Sequence, residues 1–170
     1  MKAFAMYAWA LLVAMMVGFT SCGDDDESNF SPEQEEYVKK NREYFEMKKV
    51  EKNENGELKY KQVQVNGDVA LYRITKKENN YTATPGPAAE VEVHDLEGKL
   101  IDGKVFQPNM SSNFRMNQLI PGLTAVLSQL HADETAEAII PSSLGYGDKS
   151  TASIPGGSTL IFTFTLYNFF

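Results

Sequence analysis

A chain of 170 residues, 42% apolar and 23% charged, can build one compact domain with extensions and not comfortably two. Its formal charge of −7, with no basic patch, argues against nucleic acid or anionic lipid headgroups as ligands. One cysteine excludes a disulfide framework within the chain.

In chain order, Lys2 is the only charge before Asp24, and Ala3 to Val17 is almost wholly apolar, followed by small residues and then Cys22. A positive start, an apolar run too short to span with ordinary flanks, and small residues at a cleavage point predict a secretory signal over residues 1–21. The cysteine directly after the small residues resembles a bacterial lipobox, which implies acylation of Cys22 and a mature protein anchored to a membrane without spanning it. Gly23 to Asn29 is an acidic hydrophilic run that buries nothing, so residues 22–30 are expected to act as a tether. Such a run after the lipid cysteine is also similar to the surface-export signal of Bacteroidetes lipoproteins. The implied location is the outer membrane, facing the periplasm or the cell surface. Removing residues 1–21, which carry only Lys2, takes the formal charge from −7 to −8.

Residues 31–57 are predicted to be a helical extension. Ser31 can cap, Pro32 suits the first helical position, and Glu33, Glu35 and Glu36 lie where the helix dipole favours anions. Tyr37, Tyr44, Phe45 and Met47 form a thin apolar stripe, enough to pack one face. A polar turn over Lys52–Glu57 leads into strand patterns over Leu58–Val65, Val69–Thr75 and, after the Thr84-Pro85-Gly86-Pro87 breaker, Glu90–His94. Asp102-Gly103 between apolar-flanked segments signals a tight hairpin. Leu123, Val126, Leu127 and Leu130 fall on one face of a helix expected over Pro121–His131. Ala136, Ala138 and Ile140, and later Leu160, Phe162, Phe164 and Leu166, alternate as strands.

Few residues carry chemistry by themselves. His94 sits in a strand pattern and His131 after a helix, where the dipole accounts for it. There is no metal-ligand spacing, no phosphate loop opening a helix and no nucleophile between the glycines of Gly145-Tyr146-Gly147. An enzyme of this sequence would use neither cofactor nor metal nor nucleophile.

Five ordered segments do suggest a family: Leu100-Ile101-Asp102-Gly103 with Phe106 after it, Ile120-Pro121-Gly122, Leu144-Gly145-Tyr146-Gly147, Ile154-Pro155-Gly156-Gly157-Ser158-Thr159-Leu160, and the alternating strand that follows. From about Leu71 to Phe170 they resemble FKBP-type peptidyl-prolyl cis-trans isomerases. The resemblance implies an α+β domain over residues 58–170, an FKBP-like curved antiparallel β-sheet wrapped around one short α-helix, with the helical extension before it. It also implies a proline pocket. Phe106 and Phe162 match its walls, and Leu119 and Ile120 match the pair whose second backbone N–H holds a substrate carbonyl. Tyr146 matches a tyrosine whose hydroxyl bonds substrate, Ile154 matches a loop residue above the proline, and Leu123 stands at the floor. Phe114 aligns with a core phenylalanine. Three positions depart from the family: Gln107 replaces an aspartate, Leu123 replaces the floor tryptophan, and Asp95 or Leu96 replaces a tyrosine, depending on where one extra residue is placed. The loop from Asp148 to Ser153 is slightly shortened.

The implied substrate is a proline-containing polypeptide outside the cytoplasm. Two other readings stay open on the sequence: a non-catalytic peptide- or protein-binding lipoprotein of the same fold, and a structural surface lipoprotein with no cleft.

Overall fold

The computed structural model describes residues 31–78 and 80–170. The expected leader, Cys22 and the acidic tether lie outside the described residues. The elements run α1 (Pro32–Val50), β1 (Lys61–Val65), β2 (Asp68–Lys77), β3 (Glu90–Lys99), β4 (Val105–Arg115), α2 (Pro121–Leu127), β5 (Glu134–Ile140) and β6 (Leu160–Phe169), with 3-10 turns at Met116–Gln118 and Ser142–Leu144. The six strands form one antiparallel sheet in the order β1-β2-β5-β6-β3-β4. The expected α+β architecture is the one observed.

The period-two patterns place one face of the sheet against α2. Ala136, Ala138 and Ile140 of β5 and Leu160, Phe164 and Leu166 of β6 are fully buried, together with Val126 and Leu130 from the helical segment. Burying both apolar faces at once is what makes helix and sheet stable together. The helix ends at Leu127, four residues short of the expected end. Ser128 Oγ donates back to the Thr124 carbonyl at 2.9 Å, and the chain tightens into turns with Gln129 N–H on Val126 O and Leu130 N–H on Leu127 O. His131 therefore stands beyond the helix, not at its terminus. Its N–H donates to Glu134 Oε2 at 2.9 Å, so a carboxylate, and not the helix dipole, is its partner.

The outer face of the sheet is covered as well. Leu71 and Ile139, paired across β2 and β5, pack with Tyr60 and with Phe45 of α1. Both strands are thus buried on two sides, as Leu71 and Tyr72 or Ile139 and Ile140 show in succession. α1 is capped as expected, Ser31 Oγ accepting the Gln34 N–H at 3.3 Å. Its apolar stripe is thinner than expected, since Met47 is exposed, and its centre is held by polar contacts of Asn41, which is buried. The first strand begins at Lys61 and not at Leu58, because Leu58 bridges to Lys52 and closes the preceding turn.

Hairpin β3–β4 turns at the expected place. Leu100 N–H donates to Lys104 O at 2.9 Å, Gly103 N–H to Leu100 O at 3.0 Å, and Gly103 takes φ +86, where a glycine pays no Cβ penalty. Within β3, Asp95 has φ +54 and the pairing with both β4 and β6 shifts around it. The extra residue is therefore Asp95, extruded in a bulge, and Leu96 returns to the inner face.

Two carboxylates brace the sheet. Glu137 accepts Tyr60 Oη at 2.6 Å and a forked pair from Arg73 Nε and Nη2, each at 3.1 Å. Glu134 has a fully buried side chain, with Lys77 Nζ 3.2 Å away. Burial pushes both carboxyls up, but these cationic and hydrogen-bonding partners outweigh it and hold both below the usual 4.5. A carboxylate lowered in the folded state adds stability above its unfolded value, and that stability is lost as pH falls through the folded one. Urea unfolding is expected to show stability dropping as pH goes below about 4.5, with a shallower drop in Glu137→Gln. An unchanged slope in that variant would remove Glu137 from the account.

Candidate active site

One cavity of about 470 Å³ opens between α2, the start of β4, β6 and the loop from Gly145 to Ser158, and all seven expected site residues line it: Phe106, Leu119, Ile120, Leu123, Tyr146, Ile154 and Phe162. None of its lining side chains is charged.

The walls come from adjacent strands. Phe106 on β4 and Phe162 on β6 meet edge to face, with ring centroids 5.5 Å apart and planes at 89°. Both flank Gly98 of β3, which pairs with Phe162 on one side and with Gln107 on the other. A Cβ at Gly98 would stand 2.6 Å from the Phe106 ring, so the ring occupies space that only a residue without a side chain leaves free. Leu123 and Ile154, both nearly buried, close the floor and the loop side.

The polar groups sit at the rim. Ile120 precedes Pro121 at the start of α2, with φ −59 and ψ 145, so its carbonyl accepts the N–H groups of Leu123 and Thr124, each at 3.1 Å. Its own N–H has no acceptor among the described residues, while the Leu119 N–H before it is used by Met116 O at 3.3 Å. A helix start leaves such donors over, and here one borders the cavity. Thr124 Oγ1 donates to Met116 O at 2.8 Å and fixes α2 against that turn. Tyr146 is 45% exposed, and its hydroxyl is held by no other described residue.

Sequence reasoning missed part of the lining. Phe114, assigned to the core, packs on the core and also lines the cavity. Leu96, Gln107, Met110, Gln118, Thr151 and Ser153 line it too. Of the two residues left open at the departing tyrosine position, the bulge puts Leu96 in the cavity lining and leaves Asp95 out of it. Gln107 turns its amide to the carbonyl of Pro108, at 3.0 Å. His94 stacks on Tyr167 with centroids 4.4 Å apart and Nε2 2.9 Å from Glu92, away from this cavity. A second groove of about 520 Å³, bordered by Tyr81, Ala132 and Tyr167, gathers none of the expected residues. Among the described residues no group of three His, Cys, Asp or Glu side chains is placed to hold a metal ion, and no helix is long and apolar enough to cross a membrane.

Comparison with known proteins decides the family. The family model for the FKBP-type peptidyl-prolyl cis-trans isomerase matches residues 81–167, slightly more than half of the chain. The chain belongs to the FKBP-type isomerase family. The FKBP-type 22 kDa peptidyl-prolyl cis-trans isomerase of Escherichia coli is 39% identical over 85 residues, covering 47% of this chain and 41% of that protein. The outer membrane protein MIP of Legionella longbeachae is 38% identical over 85 residues, 47% of this chain and 36% of that protein. The FKBP-type match thus spans less than half the length of these curated relatives. Among solved structures, FkpA from Escherichia coli superposes with a TM-score of 0.64 at 27% identity, over 81% of this chain and 62% of that one. A peptidyl-prolyl cis-trans isomerase from Pseudomonas syringae shares the fold with a TM-score of 0.68 at 24% identity, over 82% and 97%. The FKBP-type segment takes in β3 to β6 and α2, hence every residue that lines the cavity, and leaves out α1, β1 and β2.

Proposed function

We propose that the protein is a peptidyl-prolyl cis-trans isomerase and folding factor acting on Xaa-Pro bonds of extracytoplasmic polypeptides. The observation that carries this reading is the convergence of two aromatic walls, an aliphatic floor and two unengaged donors on one uncharged cavity. Rotation about the imide costs roughly 18–20 kcal/mol because resonance gives the C–N bond double-bond character and places charge on the carbonyl oxygen. Water stabilises that charge. An apolar site that admits the pyrrolidine ring therefore disfavours the planar ground state relative to the twisted transition state, where charge separation is lost. In this reading Phe106, Phe162 and Leu123 hold the ring, Ile154 covers it, Leu119 borders it, and the Ile120 N–H and Tyr146 hydroxyl fix the peptide. No cofactor is needed.

Exchange spectroscopy on an Xaa-Pro peptide tests it: the protein should speed cis–trans exchange above the spontaneous rate. Binding without acceleration would favour a non-catalytic peptide-binding module instead, the reading to which Leu123 and Gln107 lend support as departures from the family's pocket. Tyr146→Phe should fold as the wild type does and weaken peptide binding by about 0.5–1.5 kcal/mol, the net worth of one hydrogen bond. A lower melting temperature with unchanged affinity would place that hydroxyl in the structure's support.

Residues 58–170 would form the FKBP-like domain, residues 31–57 its helical extension, and residues 22–30 a tether behind a lipoprotein signal over 1–21. The lipobox-like Cys22 and the acidic run after it support an outer membrane lipoprotein facing the periplasm or the cell surface, and the name of the Legionella relative agrees in kind. Cys22→Ser should abolish partitioning with membranes, and a wild type unmarked by labelled fatty acid would end this part of the proposal.

A further inference from the structure

α1 lies outside the segment that matches the family, yet it holds the loop that carries Tyr146 and Ile154 and, with them, Thr151 and Ser153 of the cavity lining. Three side chains on one face of α1 reach across the fold. Gln34 Nε2 donates to Gly156 O at 2.6 Å. Asn41 Oδ1 accepts the Thr159 N–H at 2.8 Å, its backbone carbonyl accepts Thr159 Oγ1 at 3.1 Å, and its Nδ2 donates to Tyr37 O at 2.9 Å. Tyr37 Oη pairs with Ser158 Oγ at 2.8 Å. Because Ser158 spends its one proton on Pro155 O, at 2.6 Å, the tyrosine is the donor. The chain Tyr37 to Ser158 to Pro155 thus ends on the residue next to Ile154.

The loop conveys these contacts inward. Gly157 takes φ +78, a Cβ there would overlap Val38 of α1, and its N–H donates to Gly147 O at 2.9 Å, the residue after Tyr146. Gly156 N–H is held by Ser150 Oγ at 2.9 Å, and Ile154 is fixed by its N–H on Thr151 Oγ1 at 3.1 Å and its carbonyl under the Thr151 N–H at 2.8 Å. Asn41 is buried in the middle of a helix rich in charge, and burying an amide is costly unless its bonds are made, as they are here.

We propose that α1 is a clamp setting the position of Ile154 and Tyr146 at the cavity, with Gln34, Tyr37 and Asn41 as positioning residues. The proposal rests on the isomerase reading for its catalytic consequence and on the hydrogen bonds alone for its mechanical part. The double variant Gln34→Ala/Tyr37→Phe removes two outer bonds and leaves Asn41 to keep the helix docked. Tyr60→Phe, which breaks the bond to Glu137 under the same helix, serves as a control of comparable disturbance away from the cavity. In the full chain, three readouts are compared: amide exchange at Gly157, the methyl shifts of Ile154, and kcat/KM for an Xaa-Pro peptide. The double variant should speed Gly157 exchange, move the Ile154 methyls and lower kcat/KM by roughly three- to tenfold, since small misplacements at a reacting site are magnified in rate. Tyr60→Phe should do none of these. Wild-type values for all three in the double variant, or an equal loss in the control, would overturn the clamp. A wild type without turnover would sink the isomerase reading alone, and the exchange and methyl shifts would still decide whether α1 holds the loop.

Discussion

Phe162→Ala should lower stability by about 3–5 kcal/mol and leave no measurable isomerisation. Phe162 is 5% exposed and belongs to the core and to the cavity wall at once, so its removal opens a void and takes away the edge-to-face partner of Phe106. Gly98, the register partner of Phe162 on β3 and a neighbour of the Phe106 ring, has no side chain to fill the space. Phe162→Leu separates the two effects. It should restore most of the stability while activity stays low, since an aliphatic residue refills the volume without the flat wall. Denaturant unfolding and peptide exchange on both variants would check this; an active, folded Phe162→Ala protein would remove Phe162 from the site.

The second large effect falls on Gly122. Replacing a helical glycine by alanine ordinarily helps, by roughly 0.5–1 kcal/mol. Here the sign should reverse, because a Cβ at Gly122 would overlap Ile140 Cγ2, a branched and fully buried methyl in β5 with no room to move aside. A cost of about 1–3 kcal/mol is expected. The helix would be pushed off the sheet at its first turn, where Ile120 and Leu123 meet the cavity, so peptide binding should fall too. Pairing the change with Ile140→Ala tests the cause. The two substitutions should be strongly non-additive in thermal melts, since the second removes the methyl that the first strikes. Simple additivity would mean that the close approach is not the reason for glycine here.

These cases also show what a sequence discloses. The stripe Leu123, Val126, Leu127 and Leu130 could be read because burial repeats with the helix, although the helix then ends at Leu127, with Ser128 bonding back to the Thr124 carbonyl. The seven cavity residues could be read because each sits inside or beside a short ordered motif. Leu96 could not be separated from Asp95, since a bulge leaves no periodic trace; the one local hint was an aspartate, a residue that tolerates the left-handed region better than most. Gln34 and Asn41 were illegible for a different reason. Their partners lie 122 and 118 residues away, and on a charged helix a polar side chain reads as a solvated one.

The sheet order carries a warning for anyone who would trim the protein to its family segment. A chain cut to residues 81–167 loses β1 and β2, and β5, now in the middle of the sheet, becomes its border. Alternate residues between Glu134 and Ile140, those that bond β2 and not β6, would then present unpaired backbone donors and acceptors to solvent, with Ile139 bared on the outer face. An unpaired border of that kind recruits other chains by strand addition. The segment that matches the family is therefore smaller than the unit that keeps β5 paired on both sides, and a fragment cut to residues 81–167 should aggregate more readily than a chain that keeps β1 and β2.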